Sequence, residues 1–292
     1  MKIIVTGSLG NTAKPLAQQL ISEGHDITVI SSSEAKKSEI ESLGAKAAIG
    51  SITDVGFLVK TFEGADAVFA MTPPVMGETH IVENTANAGK NYAEAIAKAN
   101  VKRLVMLSSA GADSPVETGP IKGLYHIEKV YNGLENTSVT FLRAGYFYIN
   151  FFNDIPLIKN AGIIGGNYPE NVSIPLTHPV DIAKAAAEEL VKNTTGKNIR
   201  YVVSDSRVPS DFAKVLGSAV GNSALPWVEF TDEQSFDGMV QAGLPQEMAE
   251  LYVEMGKGMR TGVVQKDFIE QGSPVDGEIK LEDFAKEFAS KF

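Results

Sequence analysis

The sequence predicts an α/β fold, a doubly wound parallel sheet followed by a smaller C-terminal α/β lobe. Three observations carry that expectation. Short apolar runs alternate with amphipathic stretches through the first half, and strand, helix, strand repeated in this way gives right-handed crossovers and parallel pairing. The first apolar run is followed by two glycines three residues apart and then by a helical pattern, as at the start of a βαβ unit. The 292 residues, 43% apolar and 21% charged, are ordinary soluble composition and enough for one large domain with an appendage.

The expected strands of the first half are Lys2–Thr6, Asp26–Ser31, Lys46–Ile49, Ala67–Met71, Arg103–Ser108 and Ser138–Leu142. Between them, Leu16, Leu20 and Ile21 share one helix face. Val55, Leu58, Val59 and Phe62 share another, at i, i+3, i+4 and i+7. A long helix is expected over about 77–100. In the second half a helix starts near Asp181, and a strand at Tyr201–Ser204 precedes a helix capped by Ser210 or the proline before it. "GLPQEMAELYVEMGKG" has proline in its first turn and glycine near its end, and Leu281, Phe284, Ala285 and Phe288 give the tail one apolar face. The expected division is 1–150 for the sheet domain and 151–292 for the lobe, with strands of the second half partly completing the sheet.

The opening "VTGSLGNTA" points to a phosphate. A parallel sheet binds ligands beyond the carboxyl ends of its strands, which is where Gly7, Leu9, Gly10, Asn11 and Thr12 stand. Gly7 permits the tight turn, and Gly10 lets the backbone approach a diphosphate with no Cβ in the way. The amides that follow open a helix, where free N–H groups and the dipole favour an anion. Asn11 and Thr12 add side-chain donors. A plain glycine turn is the competing reading, and the placement between strand and helix argues for the dinucleotide. An acidic residue after the second strand would accept from the ribose 2′-OH of NAD. Here Ser31, Ser32 and Ser33 stand there, with no carboxylate before Glu34 and with Lys36 and Lys37 beyond. That pattern suits a 2′-phosphate, hence NADP(H) over NAD(H).

These residues resemble the NmrA-like family of atypical short-chain dehydrogenase/reductases, a Rossmann fold. "TGSLG" is similar to its TGATG start. "GSITD" at Gly50–Asp54 resembles its G-D-x-x-D near the adenine, with Ser51 for the first aspartate. "MTPP" and "SSAGA" match segments that line the ribose and nicotinamide, so the resemblance implies Met71, Thr72, Pro73, Ser108 and Ser109 as cofactor contacts. "FLRAGYFYIN" resembles L-R-P-G-x-F-x-x-N, with Ala144 for proline, and the similarity runs over nearly the whole chain. The family holds NAD(P)H-dependent quinone, azo and triphenylmethane-dye reductases, and members that bind NADP without catalysis.

Tyr125 and Lys129 form a YxxxK pair at helical spacing, in which an ammonium lowers the phenol's pKa for proton transfer to a carbonyl oxygen. Against it, Lys129 stands only 14 residues before Arg143, closer than the lysine of related reductases, so Tyr125 sits at that lysine's usual place. A tyrosine packed under a helix beside a solvated lysine is the plainer reading. His126 is a candidate proton donor. Tyr146, Phe147 and Phe151 are candidates to stack on a flat substrate, or to wall one lobe from the other.

The absence of cysteine removes disulfides, thiolate zinc and cysteine nucleophiles, and fits a reducing compartment. No metal is expected, since no histidine has a carboxylate at ligand spacing. A net charge of −10 argues against nucleic acid or an anionic membrane, and no run approaches a bilayer span. The expectation is a cytoplasmic protein with a small-molecule substrate and no set oligomeric state. Three functions follow: an NADPH-dependent reductase of a quinone, azo compound or dye; a non-catalytic NADP(H) sensor; and a nucleotide-sugar epimerase-like enzyme.

Overall fold

The computed structural model describes residues 1–72 and 79–292. Strands β1 (Lys2–Val5), β2 (Asp26–Ser31), β3 (Lys46–Ile49), β4 (Ala67–Ala70), β5 (Arg103–Ser109) and β6 (Ser138–Ala144) alternate with helices α1 (Ala13–Ser22), α2 (Lys37–Ser42), α3 (Val55–Phe62), α4 (Ile81–Lys98) and α5 (Lys122–Asn132). The chain continues through β7 (Tyr146–Phe147), α6 (Ile155–Ala161), β8 (Ile164–Gly166), β9 (Ile174–Thr177), α7 (Pro179–Val191) and β10 (Lys197–Val202). It ends with β11 (Asp205–Arg207), α8 (Pro209–Ala219), β12 (Trp227–Glu229), α9 (Asp232–Gln241), α10 (Gln246–Thr261), α11 (Lys266–Glu270) and α12 (Leu281–Lys291).

Seven strands form one parallel sheet in the order β10-β6-β5-β4-β1-β2-β3. The apolar runs are continuous because the sheet is covered on both faces. In β1, Ile3 and Val5 point into the core shared with α1 and α7, and Ile4 points into the core shared with α3, α4 and α5. The alanines of α7, among them Ala183, Ala186 and Ala187, let that helix lie close on the sheet beside α1. Buried Arg103 ties the start of β5 to it, donating to the Glu189 carbonyl and carboxylate. The sheet therefore draws α7 and β10 from beyond residue 150.

Past β6 the chain turns at Gly145, where a Cβ would collide with the Pro175 carbonyl. The Gly145 amide donates to the Thr177 hydroxyl at 2.8 Å, and that hydroxyl donates to the Val202 carbonyl at 2.6 Å. One threonine thus joins the large sheet to the three-stranded sheet β11-β9-β7. The lobe's own core is aromatic: Tyr148, Phe151, Phe212, Phe284 and Phe288 are fully buried between α8, α12 and the small sheets. Among the described residues no helix is long and apolar enough to cross a membrane.

The first six strands match expectation to within two residues at each end, and four elements of the second half differ from it. β10 starts at Lys197, not Tyr201, because it is an edge strand whose Lys197, Asn198 and Arg200 hide the pattern. α7 starts at Pro179, with the His178 ring accepting from the Val180 amide as its cap. α8 starts at Pro209 after an uncapped Val208, so Ser210 lies inside the first turn and is not the cap. α10 runs through Gly256 and Gly258 to Thr261 and stops at left-handed Gly262. Those two glycines serve close approach, since a Cβ would strike the Asn167 amide at one and the Glu117 carbonyl at the other.

Candidate functional site

The strand order reverses between β1 and β4, and the crevice beyond their carboxyl ends is where an open α/β sheet takes its ligand. Gly7 turns there at φ +96°, and a Cβ on it would strike the Met71 side chain lying across the loop. Ser8 follows at φ +56°, its amide bonded to the Ile30 carbonyl and its hydroxyl donating to Ser31 at 2.9 Å. The Gly10 amide closes the turn onto the Gly7 carbonyl. Among the described residues no carbonyl accepts from the amides of Leu9, Asn11 or Thr12, so these donors face the crevice at the start of α1. Thr12 is buried, Asn11 is exposed, and Leu9 packs back onto the sheet core.

The opposite bank is fixed through Thr6. Its hydroxyl accepts from the Met71 amide at 2.9 Å, and the Tyr92 hydroxyl of α4 donates to the Met71 carbonyl at 3.3 Å. Burial pushes the Tyr92 phenol up to about 12, so it stays protonated and keeps that bond. Next to it, the Thr72 hydroxyl oxygen is buried with no partner among the described residues. A buried hydroxyl left alone costs free energy unless a ligand meets it. Free amides, a cradle that a Cβ would fill and an orphaned hydroxyl fit a dinucleotide. Pro73 lies outside the described residues.

On the adenosine side, Ser31 is buried and its oxygen accepts from Ser8 and from the Ser33 amide, so it braces the loop. Ser32 is exposed with no partner among the described residues. Lys36 is held by Glu39, which also takes Lys14, whereas Lys37 has no such partner among the described residues. Ser51 sits beyond β3, its oxygen 2.7 Å from the Thr53 hydroxyl and accepting from the Thr53 amide.

On the nicotinamide side, Ser109 donates to the Ala110 carbonyl, and buried Ser108 donates to Glu128 at 2.6 Å. Glu128 also takes a two-pronged grip from Arg143, at 3.1 and 2.7 Å, and Arg143 reaches Asp267 of α11 at 2.6 Å. Tyr201 donates to the same Asp267 oxygen. Burial works against the Arg143 charge, but Glu128 and Tyr201 outweigh it and raise its pKa. The α5 residue that meets Ser108 is therefore a glutamate, which the sequence reading passed over in favour of its neighbours. The Lys129 ammonium lies over the Tyr125 ring, 5.3 Å from its centre, and His126 meets the same ring edge-on. His126 and Lys129 line an outer groove with His80, Glu83, Lys90 and Glu247. Glu247 of α10 caps α4 there, accepting from the amides of His80 and Ile81 at 2.7 and 2.9 Å.

Tyr146 stands just past β6 and packs against the lobe's aromatic core, and Phe147 packs onto the sheet core. Phe151 is only 2% exposed, behind Tyr146 at 5.4 Å between ring centres, so it meets a ligand through Tyr146 alone. Three residues that sequence reading did not find act on Tyr146: Asp154, Tyr168 and Tyr252. Burial pushes the Tyr146, Tyr168 and Tyr252 phenols up, and the Asp154 charge adds to the rise at Tyr146 and Tyr168. Burial alone carries Asp154 up to about 7. No signal in "FFNDIP" marks that aspartate, because its neighbours Tyr146 and Tyr168 come from β7 and from the segment after β8. Among the described residues no group of three acidic or histidine side chains is set to hold a metal ion.

Residues 7–136 match the family described as NAD(P)H-binding. That match runs from the turn after β1 to just past α5. Among the chain's relatives is the NAD(P)H azoreductase of Xenophilus azovorans, 26% identical over 87% of this chain and 85% of that one. In fold it is similar to an NADPH-dependent quinone oxidoreductase from Escherichia coli solved with NADPH, at TM-score 0.82, 18% identity and 98% and 99% coverage. It is equally similar to a Citrobacter triphenylmethane reductase solved with NADP(H), at TM-score 0.81, 20% identity and 98% and 99% coverage.

Proposed function

We propose that this chain is an NADPH-dependent reductase of a small flat aromatic acceptor such as a quinone, an azo compound or a dye. The observation that carries the reading is the crevice at the β1/β4 switch point, where the amides that open α1 and the Thr72 hydroxyl have no protein partner among the described residues. In this reading the Leu9, Asn11 and Thr12 amides hold the pyrophosphate, and Thr72 meets the ribose side. Exposed Ser32 with unpaired Lys37 takes a 2′-phosphate, with no carboxylate in the β2 turn to repel it. The dihydronicotinamide, when bound, supplies a hydride. The chain's share is alignment: Tyr146 orients the acceptor's ring, and the Ser108–Glu128–Arg143 lattice stiffens the floor on which it rests. The relatives' activities, on azo compounds, quinones and dyes, agree with an acceptor of this shape.

A sensor is the second reading, and one observation favours it. Lys129 lies on the face of the Tyr125 ring, and Ser108 is tied to Glu128, so no serine–tyrosine–lysine relay is assembled. Sugar epimerisation, which needs that relay, is the least supported. NADPH oxidation followed at 340 nm with naphthoquinone, azo and triarylmethane acceptors tests the proposal. Turnover with at least one class is expected. Tight NADP binding without turnover on any of them overturns it in favour of the sensor.

A further inference from the structure

One carboxylate holds two cations on the adenosine side of the crevice. Glu39, in the first turn of α2, takes the Lys14 ammonium of α1 at 3.1 Å on one oxygen and the Lys36 ammonium at 2.9 Å on the other. The backbone places both lysines against the nucleotide turns. The Lys14 amide donates to the Gly10 carbonyl at 3.0 Å, and the Lys36 amide donates to the Ser33 carbonyl at 3.1 Å, in the turn that leaves β2. Those two turns are already tied, since Ser31 accepts from the Ser8 hydroxyl at 2.9 Å and from the Ser33 amide at 3.2 Å. The lysine–glutamate–lysine bridge therefore closes a ring around the bank that lies between the phosphate turn and the end of β2. The side chains of Lys14, Glu39 and Lys36 stay 41%, 40% and 47% exposed, so a ligand can reach all three.

Two ammoniums share this one carboxylate, and neither has another among the described residues. Their hydrogen bonds, Lys36 first and Lys14 second, hold the Glu39 carboxyl below the usual carboxylate range, so it stays charged at neutral pH. A phosphate dianion arriving beside Ser32 meets both signs at once: the lysines attract it, while Glu39 repels it and occupies the lysines. Ion pairs this exposed gain little, so an incoming phosphate can displace one. A ribose with a free 2′-hydroxyl brings no charge and leaves the bridge closed. We propose that Glu39 is a specificity-determining residue that restrains the preference for a 2′-phosphorylated coenzyme by keeping Lys14 and Lys36 to itself. NADP(H) opens the bridge, NAD(H) does not, and the crevice holds either one. This rests on the dinucleotide part of the reductase reading.

Calorimetry with NADP⁺ and NAD⁺ on the whole chain is the test. Glu39→Gln is expected to raise the NADP⁺-to-NAD⁺ affinity ratio by at least about fivefold at low salt, a gain that shrinks at high salt. In a chain that also carries Lys14→Gln and Lys36→Gln, the same substitution is expected to move the ratio by less than about twofold, because no ammonium is left to release. A circular dichroism spectrum and a denaturation midpoint like those of the wild type report that each variant is folded. A ratio that stays flat or falls in Glu39→Gln overturns the proposal, and so does a gain that persists without both lysines. The expected ratio with no NADPH turnover on any acceptor would sink the reductase reading and leave this inference standing. Turnover with a ratio indifferent to Glu39 would do the reverse, and binding of neither coenzyme would sink both.

Discussion

The two halves of the candidate site are built differently. The dinucleotide crevice is made of backbone from one short stretch: a left-handed Gly7, a left-handed Ser8 and the amides that open α1. The proposed acceptor side is made of side chains around Tyr146, from β7, the turn before α6, the loop after β8 and α10, gathered from positions more than a hundred residues apart. One is specified by local conformation, the other by tertiary packing. The first should therefore be sensitive to a single added Cβ, and the second to charge and shape changes at scattered positions.

The largest expected effect probes the long-range half. Arg143→Ala leaves Glu128 and Asp267 buried without their cation, and unfolding by denaturant should show a loss of about 3–5 kcal/mol. A loss below 1 kcal/mol would mean that the network relaxes into water and does not lock the sheet edge. Next is the local half. Gly10→Glu puts bulk and negative charge where a pyrophosphate would lie, and calorimetry should record a fall in NADP affinity of at least about 100-fold with the fold retained. Affinity that survives would erase the contrast between the two halves.

Asp154 sharpens the comparison through stability. Its folded pKa stands above that of an unfolded aspartate, so its ionisation disfavours the folded state as pH rises from about 4 through about 7. Asp154→Asn removes that penalty, and the variant should be more stable than wild type by about 2 kcal/mol at pH 8, a figure reduced for partial exposure, and no more stable at pH 4. A gain equal at both pH values would point to packing instead of charge. The smallest effect belongs to the cofactor's ribose: Ser32→Asp should move the NADPH-to-NADH affinity ratio about tenfold towards NADH.

The sequence carried the crevice well for a physical reason. Turns that need φ > 0, strands buried on both faces and a helix start are each written within a few neighbouring residues, so Gly7, Gly10 and the six first strands could be read directly. β10 was read only in part because an edge strand with Lys197 and Arg200 lacks the apolar run. The Ser108–Glu128 bond could not be read, since the i, i+4 spacing of Tyr125 and Lys129 does not say which face of α5 meets β5; the packed structure turns Glu128 inward. Asp154 was invisible, because its desolvation comes from tertiary packing that its own segment does not predict.

The measurement that bears most directly on the account is amide NMR of the ¹⁵N-labelled protein titrated with NADP⁺. Saturable shifts concentrated on Gly7–Ala13, with Met71 and Thr72 moving alongside, are the predicted result. Binding that leaves the Leu9, Asn11 and Thr12 amides unmoved, or no binding at millimolar NADP⁺ and NAD⁺ alike, would contradict it.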